Sequence, residues 1–165
     1  MIDANNLAGK LNLLKEKDFD RKLTELMCQY VSLANKKIVL VFDGAGAMSR
    51  RGGDYRIEVL YARDHGYESA DEKIIETMRH KKDAFNYIVV SDDRHIIDAI
   101  EKLNLDSGKK IDVMSAKELA NKVLITIYKQ KEKEREEKEV NNKEGLSDKE
   151  IQNINDELLG IWRRD

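Results

Sequence analysis

Scarcity says a good deal about this chain of 165 residues. It has a single cysteine, Cys28, which excludes an intrachain disulfide and a cysteine-built zinc site; set in a helical pattern, that thiol reads as a small buried hydrophobe. No apolar run approaches the ~18 residues of a membrane span, and the first residues lack the basic-then-apolar pattern of an export signal. The expectation is a soluble, cytoplasmic protein with no membrane partner. Aromatic residues make up only 6%, too few for an extensive base-stacking platform. The formal charge of −2 and a pI near 6.0 give no global attraction to nucleic acid, so polyanion binding needs a local basic patch. No strand-like run is followed by G-x-G-x-x-G or G-x-x-x-x-G-K-[ST], which disfavours a nucleotide cradle. His65, His80 and His95 show no metal-ligand spacing.

What is present is a core and an excess of charge. Hydrophobic residues reach 41% and charged residues 38%, the latter against roughly 25% in an average soluble domain. Ile38–Phe42, Ile57–Tyr61, Tyr87–Val90 and Ile111–Met114 are short runs rich in β-branched or aromatic residues, and they read as central strands of a parallel sheet. Between them lie helical stripes: Phe19, Leu23, Leu26, Met27 and Tyr30; Ile74, Ile75 and Met78; Ile96, Ile97, Ile100 and Leu103. Ser69-Ala70-Asp71-Glu72 and Ser115-Ala116-Lys117-Glu118 fit the capping box at helix starts. This alternation predicts an α/β fold, a doubly wound, mainly parallel sheet flanked by helices, with ligands at the carboxyl ends of the strands. The expected domain is 1–128. Residues 129–146 form a charged helix or linker, with six basic and six acidic side chains between Lys129 and Glu144. Residues 147–165 are expected to form an amphipathic helix behind a third capping box at Ser147.

Aspartates fall at the strand ends. Asp3 follows Met1-Ile2, Asp43 ends the Val41-Phe42 run, Asp92 and Asp93 follow Val89-Val90-Ser91, and Asp71 lies in the first turn of the helix opened by Ser69. Taken singly, each has an ordinary reading as a turn former, a cap or a helix-dipole partner. In a doubly wound sheet these ends share one edge, so the expectation is a converging acidic cluster. Two carboxylates about 4 Å apart repel by about 1 kcal/mol in bulk water and about 4 kcal/mol at an effective dielectric near 20. Such a cluster keeps protons at neutral pH or is neutralised by a cation. Oxygen-only donors favour Mg²⁺ or Mn²⁺, and phosphodiester chemistry is the natural use of such a site.

The ordered set Ile2-Asp3-Ala4-Asn5-Asn6-Leu7, Val41-Phe42-Asp43-Gly44, Ser69-Ala70-Asp71-Glu72 and Val89-Val90-Ser91-Asp92-Asp93 resembles the NYN branch of the PIN-like nucleases, and within it the YacP-like proteins. The resemblance covers roughly residues 1–125. It implies a metal-dependent endoribonuclease with Asp3, Asp43, Asp71 and Asp92 as catalytic, metal-binding carboxylates and Asp93 as an accessory metal ligand. It also implies Asn6 and Ser91 as orienting groups, Mg²⁺ or Mn²⁺ as cofactor, messenger RNA as substrate, and the ribosome as partner. Two departures stand out: Ala4 replaces the family's usual glycine, and only Met1 and Ile2 precede Asp3, which predicts a frayed first strand.

Cationic contacts to RNA are expected from Arg50 and Arg51, in the glycine-containing loop between Gly44 and Asp54, and from Arg94. The competing function is a non-catalytic RNA- or ribosome-binding adaptor of the same fold. A small-molecule phosphohydrolase is disfavoured, because Asp3-Ala4-Asn5 lacks the second aspartate that haloacid-dehalogenase-like phosphatases carry two residues on. Gathering negative charge where phosphate must approach favours the enzyme over the adaptor.

Overall fold

A computed structural model describes residues 1–46, 56–81, 87–108 and 110–144. The chain divides into two compact units, Met1–Ile127 and Tyr128–Asp165. In the first, the order of elements is β1 (Ile2–Asp3), α1 (Ala4–Lys10), α2 (Phe19–Ala34), β2 (Ile38–Phe42), β3 (Ile57–Tyr61), a short 3-10 turn (Ala62–His65), α3 (Ala70–His80), β4 (Ile88–Val90), α4 (Arg94–Ser107), β5 (Asp112–Met114) and the start of α5 (Ala116–Glu144). All pairings are parallel, and the strand order is β3-β2-β1-β4-β5.

The period-two alternation of β2 sorts the helices onto two faces. Leu40 and Phe42 join Leu7, Leu23, Met27, Leu119 and Val123, burying α1, α2 and the first turns of α5 on one side. Val41 points the other way, into a cluster with Ile74, Met78, Ile96 and Ile100 from α3 and α4. Val89 and Val90 divide between the faces in the same manner. This is the doubly wound sandwich expected from the sequence.

Two expectations change. The runs at 57–61 and 112–114 are edge strands, and Asp112 and Val113 are exposed in β5, which is paired on one side only, with β4. The centre belongs instead to the two-residue β1, and it is not frayed. Ile2 pairs with both Leu40 and Val90. The Met1 nitrogen donates to the Ile88 carbonyl at 2.7 Å, and the Val90 amide donates to the Met1 carbonyl at 2.9 Å. Neighbours on both sides replace the length the strand lacks.

Helix starts follow the capping chemistry. Ser69 Oγ accepts from the Glu72 amide at 3.3 Å, while the Glu72 carboxylate accepts from the Glu68 amide at 2.9 Å, one residue before the expected reciprocal partner. Ser115 Oγ accepts from the Glu118 amide at 3.1 Å. The box at Ser147 and the amphipathic helix after it lie outside the described residues. In the second unit, the charged run is helical as far as Glu144. It carries i,i+4 contacts of the kind that support an exposed helix, Gln130 to Glu134 at 2.9 Å and Lys133 to Glu137 at 3.8 Å.

Candidate acidic site

The carboxyl ends of β1, β2 and β4 and the first turn of α3 supply the acidic side chains, and each is held differently. Asp3 ends β1 and caps α1: Oδ1 accepts from the Asn6 amide at 3.0 Å. Oδ2 accepts from Asn6 Nδ2 and from Ser91 Oγ, both at 3.1 Å. Asp3 is 5% exposed and Ser91 1%, so these donors are what makes a buried carboxylate tolerable. Ala4 is fully buried at the start of α1.

Asp43 lies beyond the end of β2 and is exposed. Both of its oxygens have donors: Oδ1 takes the Ala70 amide at 2.8 Å and Oδ2 takes Asn5 Nδ2 at 2.7 Å. Asn5 was not singled out from the sequence. No local signal links it to Asp43; the parallel pairing that sets Asp3 opposite Val41 brings the start of α1 to the end of β2, and only the fold shows that. The other amide atom, Asn5 Oδ1, is buried with no hydrogen-bond partner among the described residues, a state that costs about 1–3 kcal/mol.

Asp71 is half-buried in the first turn of α3. Among the described residues its carboxylate makes no hydrogen bond or ion pair. Its pKa is raised above the ordinary aspartate value of 3.8, first by burial and then by the negative charges of Asp93, Asp3 and Asp43, with His95 acting in the opposite sense. Asp71 thus feels the charge of acidic side chains from three other segments.

Asp92 is not among those neighbours. Its Oδ1 accepts from the Ala116 amide at the start of α5 at 2.9 Å, and its Oδ2 pairs with Lys10 at 3.0 Å. Asp93 caps α4, accepting from the His95 amide at 2.7 Å, and its own amide donates to Ser91 Oγ at 3.0 Å. The two consecutive aspartates thus serve different elements. Lys10 was also missed from the sequence, where nothing links it to a residue so far along the chain. Arg94 is exposed at the start of α4, while Arg50 and Arg51 lie outside the described residues.

A family model for the YacP-like NYN domain matches residues 1–164. The chain belongs to the YacP-like NYN family. No curated protein and no solved structure gave a significant match. NYN domains are generally nuclease domains, so the function is nuclease-like and related to RNA. Such nucleases typically use divalent metals. Among the described residues, no group of three or more His, Cys, Asp or Glu is arranged to hold a metal ion. The donor set still fits Mg²⁺, which binds through one or two carboxylates, keeps several waters and accepts phosphate oxygens. A half-buried carboxylate that makes no hydrogen bond or ion pair among the described residues, Asp71, is the feature such a hydrated cation would satisfy.

Proposed function

We propose that this NYN protein is a Mg²⁺- or Mn²⁺-dependent endoribonuclease that hydrolyses RNA phosphodiester bonds at the acidic rim, acting in the cytoplasm on messenger RNA at the ribosome. The observation that carries the reading is Asp71. Its carboxylate is half-buried, unpartnered among the described residues, and destabilised as an anion by three other carboxylates. A fold gains nothing from that arrangement unless something positive completes it. The ribosome and messenger RNA rest on likeness to the YacP-like branch alone.

The charges of Asp3, Asp43, Asp71 and Asp93 would draw a hydrated cation to the rim, where one or two of these carboxylates, Asp71 first among them, would hold it; when bound it would supply an acidified water and charge neutralisation for the phosphate. The protein's own part is positioning. Asn6 and Ser91 fix Asp3, Asn5 and the Ala70 amide fix Asp43, and the α4 cap fixes Asp93. Asp71 keeps its oxygens unengaged among the described residues, which leaves them open to a cation or to its waters. Arg94, exposed at the start of α4, offers a guanidinium to phosphate. Asp92, paired to Lys10 and Ala116, acts in this reading as a brace and not as a ligand.

The test uses labelled RNA with Mg²⁺ or Mn²⁺, with and without chelator, comparing the wild type with Asp71→Asn and Asp93→Asn. Cation-dependent cleavage lost in both variants supports the site. Cleavage that survives both substitutions removes it, and RNA bound but uncut, with ribosomes present, favours the adaptor.

A further inference from the structure

We infer that Asn5 is a positioning residue for the cleavage reaction, setting the orientation of the Asp43 carboxylate; the inference rests on the nuclease reading above. Asn5 stands in the first turn of α1, immediately past the buried Asp3 and Ala4. Its Nδ2 reaches across to Asp43 Oδ2 at 2.7 Å, joining residues 38 apart in sequence. The Ala70 amide holds the other oxygen at 2.8 Å. With one donor on each oxygen, from α1 and from α3, the carboxylate cannot turn about its Cβ–Cγ bond without losing a hydrogen bond.

The amide's orientation is dictated by chemistry. Reversing it would set an amide oxygen against a carboxylate oxygen, two acceptors with no proton between them. Held the right way round, Asn5 leaves its own Oδ1 buried and, among the described residues, unpartnered. A side chain serving only the stability of α1 would be better satisfied turned outwards to water, since Asn5 is only partly buried. The contact it keeps is the one to Asp43. Asp43 is exposed, and its negative charge needs no donor for burial, so orientation is what the contact provides.

Asn5→Ala removes the donor, and Asn5→Asp keeps the shape while replacing the donor with an acceptor. The measurements are kcat and KM for a labelled RNA, and the Mn²⁺ concentration that gives half of the cation-induced rise in melting temperature, which needs no turnover. A positioning role predicts kcat lowered at least 10-fold in both variants and KM within 2-fold of wild type. It also predicts a Mn²⁺ midpoint raised about 5-fold in Asn5→Ala. Wild-type kcat and Mn²⁺ midpoint in a folded Asn5→Ala, or wild-type kcat in Asn5→Asp, overturns the inference while leaving the nuclease reading intact. A wild type that neither cleaves RNA nor responds to Mn²⁺ overturns both.

Discussion

Replacing Asp92 and Asp93 one at a time should separate stability from activity in opposite directions. Asp92 bonds the first amide of α5 and pairs with Lys10 across side chains that are 27% and 43% exposed. A partly exposed pair of this kind contributes about 0.2–1 kcal/mol, and a carboxylate at a helix N-terminus adds about 0.3–1 kcal/mol. Asp92→Asn keeps an oxygen for the Ala116 amide and loses both charge effects, a cost of about 0.5–2 kcal/mol. At roughly 2–4 °C per kcal/mol for a chain of this size, the melting temperature should fall by about 1–8 °C. RNA cleavage below that transition should stay within about 3-fold of wild type. Asp93→Asn behaves in the reverse way. Asparagine caps a helix as well as aspartate, and one of the like charges around Asp71 disappears, so the melting temperature should hold or rise. Cleavage should fall by about 100-fold, the scale of losing one aimed charge in an active site. Thermal melts in chelator and initial cleavage rates decide it. Loss of cleavage in Asp92→Asn at an unchanged melting temperature would refute the division of labour.

Three further outcomes follow from the same geometry. Asp71 holds its proton to a higher pH in the folded protein than in the unfolded chain, so its ionisation penalty is fully present above the folded pKa and fades as pH falls towards the unfolded value. In chelator, Asp71→Asn should therefore melt above wild type at pH 7, with the gap closing as the pH is taken down to 4. Added Mn²⁺ at about 100 times its dissociation constant should stabilise the wild type by about 2.7 kcal/mol. That shift should shrink in Asp71→Asn; an equal shift in both would place the cation elsewhere. Ser91→Ala strips a donor from the buried Asp3 and an acceptor from the Asp93 amide, and should cost about 1–3 kcal/mol by denaturant titration. A neutral effect would mean that Asp3 is satisfied by Asn6 alone.

The residues that announced themselves in the sequence are those whose reasons are local. Ser69 and Ser115 sit three residues before a glutamate, and the Ile74, Ile75 and Met78 stripe depends only on helical period; all appear where their spacing puts them. Ile57–Tyr61 looks central on composition, yet strand order is decided by which helix crosses which face, and nothing local encodes that. The expected fraying at Asp3 followed from chain position alone, whereas its anchorage comes from Leu40, Val90 and Ile88, all far along the sequence. At the site, the acidic residues were legible as strand-end aspartates, but neighbours such as Asp92 and Asp93 have the same sequence signature. Only the backbone direction after Ser91 separates them, and only the fold brings Asn5 to Asp43 or Lys10 to Asp92.

The tripeptide Ser91-Asp92-Asp93 answers to three masters at once: the first bonds back to Asp3 in β1, the second clasps Lys10 and the head of α5, and the third opens α4. Such a knot has no spare thread. Change at any one of the three positions alters the setting in which the other two are judged, so double substitutions there should depart from the sum of their parts.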